Sequence, residues 1–107
     1  MTDRELLEKA AKAAGIAVQC MAIKPAEGEV DGFIGLIADP DQWPRGWFDP
    51  LTNDGDALRL AVKLRVDIAF EGFPDIVWAD DNWSEPADGD RGRATRRAIV
   101  RAAAAMG

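Results

Sequence analysis

The 107-residue chain has no histidine and no tyrosine, a single cysteine (Cys20) and a single serine (Ser84). Without imidazole there is no His general base, no Ser-His or Cys-His nucleophile pair and no His-containing metal site. Any enzyme built from this set relies on carboxylates, lysine, Cys20 or a carboxylate-held metal, so the composition favours a non-enzymatic protein. One cysteine makes no internal disulfide, which fits a reducing compartment. No apolar run approaches the roughly 18 residues of a membrane span. The opening MTDRELLEKAAKAAG mixes both charges and does not read as a signal peptide. A location in the bacterial host cytoplasm and no membrane partner are therefore expected, and no cofactor.

The balance of 48% hydrophobic and 30% charged residues is that of a globular chain, and the length suits one domain. Its net charge of −6 is unevenly spread. All 19 acids lie at or before Asp90, against eight Lys and Arg, a net −11; residues 91–107 carry five arginines and no acid, +5.

Three helices announce themselves by their ends. Thr2 with Glu5 forms a capping box, Leu6, Leu7, Ala10, Ala11 and Ala14 form a stripe, and Gly15 suits a left-handed stop, giving a helix over about 3–14. Asn53 caps a second over about 54–64, with Asp54 and Asp56 favoured in its first turn by the helix dipole. Ala57, Leu58, Ala61, Val62 and Arg65 follow one row of it, with Leu60 and Leu64 on a flank. Asp90 or Asp88 caps a third over about 90–106, striped by Ala94, Ala98, Ile99, Ala102, Ala103 and Met106.

Strands are expected over about 16–23, 30–38, 66–70 and 75–80, the first pair turning at 24–29 and the second at Glu71-Gly72-Phe73-Pro74. Gly32 and Gly35 suggest a bulge or a close backbone approach. Val66, Ile68 and Phe70 share a face, as do Ile76 and Trp78. The expected fold is α/β (α+β): a single domain of order α-β-β-α-β-β-α with a four-stranded antiparallel or mixed sheet. That order suggests two similar halves and a terminal helix.

Four groups of residues carry chemistry. Asp49, Asp54 and Asp56 are read as capping rather than as a divalent site, because Gly55 separates the acids and no glutamate follows where a calcium loop needs one. The acidic stretch 80–90, with Asp80, Asp81 and Glu85, is the best place for a weak divalent site, yet reads first as a solvated loop; no metal is assigned. Arg91, Arg93, Arg96, Arg97 and Arg101 form a basic face. The −11 body repels a duplex, so pairing with acids of this fold or of another subunit is favoured over nucleic acid. Trp43 and Trp47 in a proline-rich loop and Trp83 in an acidic one either close the core or meet a partner, while Trp78 belongs to the core by alternation and Cys20 reads as a buried structural thiol. The interface candidates are thus Trp43, Trp47, Trp83, Arg93, Arg97 and Arg101, for a protein partner or a second copy.

Trp47, Asp49-Pro50-Leu51, Asp54-Gly55-Asp56-Ala57 and Leu60-Ala61-Val62-Lys63-Leu64, with the stretch Ala94 to Ala103, resemble the small phage and prophage proteins grouped as the phage ABA sandwich domain. The resemblance covers most of the chain, residues 20–45 contributing least. It implies a helix–sheet–helix layered fold and a phage or prophage origin. The family has no assigned activity and no established catalytic residues, so it implies no site residues here.

Overall fold

The computed structural model describes residues 2–23, 32–37, 43, 47–72, 75–80 and 82–107, and not the side chains at 20–23, 32–34 and 36. The expected turns at 24–29 and 73–74, most of the stretch 38–46, Asp81 and the burial of Cys20 lie outside these.

The element order is α1 (Asp3–Ala13), β1 (Val18–Ile23), β2 (Gly32–Ile37), β3 (Trp47–Phe48), α2 (Asp54–Leu64), β4 (Ile68–Gly72), β5 (Asp75–Ala79), β6 (Trp83–Pro86) and α3 (Arg91–Met106). The mixed class and the three helices are those the sequence implies. The strands differ: among the described residues there are six, in two antiparallel three-stranded meanders, β1-β2-β3 and β4-β5-β6. The two additions, β3 and β6, are short and carry tryptophan, proline or acid. Their pairing with a longer neighbour, Phe48 opposite Gly35 and Trp83 opposite Ala79, makes them strands.

All three helices start on a side-chain cap. Thr2 Oγ1 accepts from the amide of Glu5, Asn53 Oδ1 from that of Asp56, and Asp90, not Asp88, from that of Arg93. The ends of α1 and α2 repeat one another. The amide of Ile16 donates to Ala11 O and that of Val66 to Ala61 O, both at 2.9 Å, across a left-handed residue: Gly15 at φ 73° and Arg65 at φ 56°. Aligned on that bond, Leu7, Ala10, Ala11 and Ile16 match Ala57, Leu60, Ala61 and Val66, all buried, and in each case a strand begins three residues after the left-handed one. The expected two halves are visible in this match.

The left-handed position gives a paired test. Gly15 has open space where a side chain would sit, so only backbone strain opposes a residue there. Gly15→Ala is expected to lower unfolding free energy by about 1 kcal/mol and Arg65→Gly to raise it by a similar amount, read as opposite shifts in the urea midpoint.

Helix α3 packs against both α1 and α2, and also on β5 and β6, while α1 lies on β1 and β2. Arg97 reaches Asp3 and Gly107 approaches Lys9, so α1 and α3 run side by side in one direction. Alanines at 10, 11, 94, 98, 102 and 103 are buried and allow this close approach. One continuous core joins Leu6, Leu7, Phe48, Leu60, Val77, Ile99 and Val100. Strand register sends Val77 and Ala79, with Trp83 and Glu85, to the helix side of the second sheet, and Ile76 and Trp78 to the other.

The face of α2 differs from the one its sequence suggests. Asp56, Ala57, Leu60 and Ala61 are buried, whereas Leu58 and Val62 are 59% and 70% exposed. The helix is rotated because a carboxylate takes a core position: Asp56 accepts from Trp43 Nε1 at 3.1 Å and from the Asp49 amide at 2.9 Å. With those donors satisfied, the buried row starts at Asp56 and the apolar row through Leu58 turns outward.

Candidate functional site

Trp43 leaves the set of interface candidates. It is 1% exposed, its indole N–H is held by Asp56, and its ring meets Phe48 edge-on at 5.2 Å. A tryptophan so enclosed serves the core. Trp47, one strand residue before Phe48, projects from the opposite face of its sheet and is 44% exposed. Trp83 is half-buried on the helix side of the second sheet, with the Arg101 guanidinium 5.1 Å from its ring centre.

The arginines of α3 are largely engaged. Glu85 accepts from Arg101 Nη1 at 2.6 Å and stands 3.8 Å from Arg97 Nε. Arg97 Nη1 donates to Asp3 at 3.0 Å, and Arg101 also donates to the Ser84 carbonyl. Arg96 pairs with Asp54 at 2.7 Å and donates to Leu51 O, and Arg91 pairs with Asp75 at 3.0 Å. Arg93 is exposed, its amide used by the Asp90 cap. The acids of the N-terminal ninety residues thus meet the basic helix within one chain, the favoured reading of the charge asymmetry. Arg97 and Arg101, each balanced by an acid, offer little net field to a phosphate.

Of the divalent candidates, Asp80 and Glu85 are each engaged within the fold. Asp80, at φ 53°, accepts from the Asp67 amide at 2.9 Å, fixing the approach of β4 to β5. Glu85 belongs to the arginines. No group of three His, Cys, Asp or Glu among the described residues could hold a metal ion.

Two hollows remain. One, of about 320 Å³, lies between α1, α3 and β6, with Leu6, Ala104 and Ala105 facing Trp83 and the Glu85–Arg97–Arg101 cluster. The other, of about 190 Å³, runs between α2, α3 and the start of β4, where Leu58 and Ile68 come together over Ala57 and Ile99. Val62, one turn on from Leu58, and Phe70, two residues on from Ile68, are 70% and 58% exposed. Phe70 pairs with Val77 and so stands on the helix side of the sheet, at an edge strand where α3, lying on β5 and β6, leaves it uncovered.

The exposure of these side chains does not follow from the sequence, where Leu58 and Val62 share a helical row with Ala57 and Ala61, and Phe70 shares a strand face with Val66 and Ile68. A usable signal exists: Leu60 and Leu64 lie on a competing row of α2, and one helix of this length buries one stripe.

No family profile, curated protein or solved structure matches this chain. No helix among the described residues is long and apolar enough to cross a membrane.

Proposed function

We propose that this chain is a small non-enzymatic accessory protein that acts by protein–protein contact. The observation that carries the reading is that Leu58 and Val62, one turn apart on α2, and Phe70 on the edge strand β4 are large apolar side chains more than half exposed. Clustered exposed apolar residues mark interaction surfaces more than scattered ones do. Supporting it, the groups that chemistry would draw on serve the fold: Asp56 anchors a loop, Asp80 a strand start and Glu85 two arginines. The phage or prophage origin within a bacterial cytoplasm rests on the sequence resemblance alone.

The test is capture on immobilised chain, offering purified chain and a bacterial lysate in turn, beside the double variant Leu58→Glu/Val62→Glu. Both positions face solvent, so the variant is expected to keep its circular dichroism and melting point while losing at least about 90% of the retained protein, as for a central apolar anchor. Equal retention by both chains, or none by the wild type from either source, would refute the reading.

A further inference from the structure

The outer side of α2 is unlike the rest of this acidic chain. From Ala57 to Val66 the sequence runs ALRLAVKLRV, with three cations and no acid, in a protein that carries 19 acids and a net charge of −6. These ten residues hold +3, which leaves −9 on the remainder. Arg59, Lys63 and Arg65 are exposed, and among the described residues none of them joins an ion pair. Arg59 makes one weak contact, 5.9 Å from the centre of the Trp43 ring. The acids of the same helix are engaged: Asp54 pairs with Arg96 at 2.7 Å, and Asp56 is buried.

Hydrocarbon lies beside these cations. Leu58 and Val62 stand four residues apart, as do Arg59 and Lys63, so an apolar row and a basic row run next to each other along the exposed face. Leu58 also borders the hollow of about 190 Å³ between α2 and α3, with Ala57, Ile68, Gly92 and Ile99 in its walls. The charged groups of that lining, Asp54 and Arg96, satisfy each other. The hollow is smaller than the roughly 300 Å³ at which small-molecule sites begin, and suits a single inserted apolar side chain.

Helix α1 supplies the comparison. In the alignment set by the matching C-terminal bonds, Leu58, Arg59 and Val62 fall on Glu8, Lys9 and Lys12, all exposed. There Glu8 pairs with Arg4 at 3.0 Å, the signs are mixed and no large apolar side chain is exposed. The outer face of such a helix therefore needs neither hydrocarbon nor a single sign of charge, and α2 has both.

We propose that the outer face of α2 docks an acidic amphipathic segment of another protein. An apolar side chain of that segment enters the hollow beside Leu58, further apolar groups cover Val62, and its carboxylates meet Arg59, Lys63 and Arg65. This rests on the protein-contact reading and names the partner's chemistry. Charge complementarity selects the occupant. A second copy paired through this face about a two-fold would set +3 against +3. An anionic bilayer gains about 1 kcal/mol from each of three cations and meets the repulsion of the −9 remainder.

The test is selection of a random dodecapeptide library, displayed on phage, against the immobilised full chain, followed by titration of the leading synthetic peptide. The enriched peptides are expected to combine an excess of Asp and Glu with Leu, Ile, Phe or Trp. Arg59→Glu/Lys63→Glu is expected to raise the leading peptide's Kd at least about tenfold, and Leu58→Ser/Val62→Ser by a similar factor through loss of the apolar anchor. All four side chains face solvent, so both variants are expected to keep the wild-type circular dichroism. The same peptide with its acids changed to lysine is expected to lose the wild type and to bind Arg59→Glu/Lys63→Glu, a swap that a merely apolar surface would not show. Enrichment without acidic excess, indifference of the leading peptide to Arg59→Glu/Lys63→Glu, or no enrichment overturns the proposal. So does co-sedimentation with phosphatidylserine vesicles in place of peptide binding. If acid-free peptides are enriched and lost with Leu58→Ser/Val62→Ser, the acidic partner falls and the protein-contact reading stands. If nothing is enriched and the capture experiment also retains nothing, both fall.

Discussion

Replacing Asp56 with alanine is expected to cost the fold about 4 kcal/mol, much of the 5–15 kcal/mol that holds a domain of this kind together. The side chain is 3% exposed and is the buried charged residue of the described core. Its two oxygens serve two donors in the chain before α2: Oδ1 takes the Trp43 indole N–H and Oδ2 the Asp49 amide. Truncation to alanine takes the acceptor from the enclosed Trp43 indole N–H and from the part-buried Asp49 amide. Each such group costs about 1–3 kcal/mol, toward the upper end when the lost acceptor was charged. Asp56→Asn keeps one oxygen but turns an NH₂ toward a donor, so about half the loss is expected, near 2 kcal/mol. A double-mutant cycle isolates the contact. Trp43→Phe removes the indole N–H, so Asp56→Ala in that background is expected to cost at least about 1 kcal/mol less than in the wild type. Urea midpoints at constant m-value give all four corners. An Asp56→Ala chain that unfolds with the wild type would show the carboxylate to be dispensable, and with it the reason given for the rotation of α2.

That rotation marks where sequence reasoning stops. Helix ends are local events: an oxygen at Thr2, Asn53 or Asp90 reaches an amide three residues on, and a left-handed stop at Gly15 is written in one letter. These were legible. So was the helical content of residues 54–64, but not its orientation, because Leu58 and Val62 compete with Leu60 and Leu64 for the inner stripe and the decision lies with a buried aspartate whose partners are 7 and 13 residues away. The Asn53 cap is legible in the sequence, but the carboxylates of Asp54 and Asp56, expected to cap, turn instead to Arg96 and to Trp43 with Asp49. Strands β3 and β6 were read as loop because two or four residues with tryptophan, serine, glutamate and proline show no alternation of their own; a neighbour's register makes them strands. The charge asymmetry between the two ends was visible, and so was its preferred resolution by pairing. Which acid meets which arginine was not, since Arg97 and Asp3 are 94 residues apart. The exposure of Leu58, Val62 and Phe70 follows from those same long-range decisions, which is why it appears only when the helices are placed.

Gly35→Val is expected to destabilise by about 3 kcal/mol, at the top of the usual range for overpacking. The glycine sits in the middle of β2, opposite Cys20 on one side and Phe48 on the other. A Cβ at this position would stand 3.1 Å from Val18 Cβ and 3.3 Å from Phe48 Cβ. Both atoms are first carbons of their side chains, fixed by strand backbones, and neither can swing aside as the tip of a long chain would. Phe48 is also locked from behind by the edge contact with Trp43, so the strain passes into the cluster that Asp56 anchors. Of the two readings a strand glycine allows, a bulge or a close approach, the regular register through Gly35 and the short distances select the second. A lone methyl group is tolerated better: Gly35→Ala asks its neighbours to give by a few tenths of an ångström and offsets part of that through lower unfolded-state entropy, so about 1 kcal/mol is expected. The Ala-to-Val step should therefore exceed the Gly-to-Ala step. Shrinking the opposing side chain supplies the control. In a Phe48→Leu background, which is itself weaker, the added penalty of Gly35→Val is expected to fall by at least about 1 kcal/mol. Equal penalties in both backgrounds would locate the cost in the backbone of β2 rather than against Phe48.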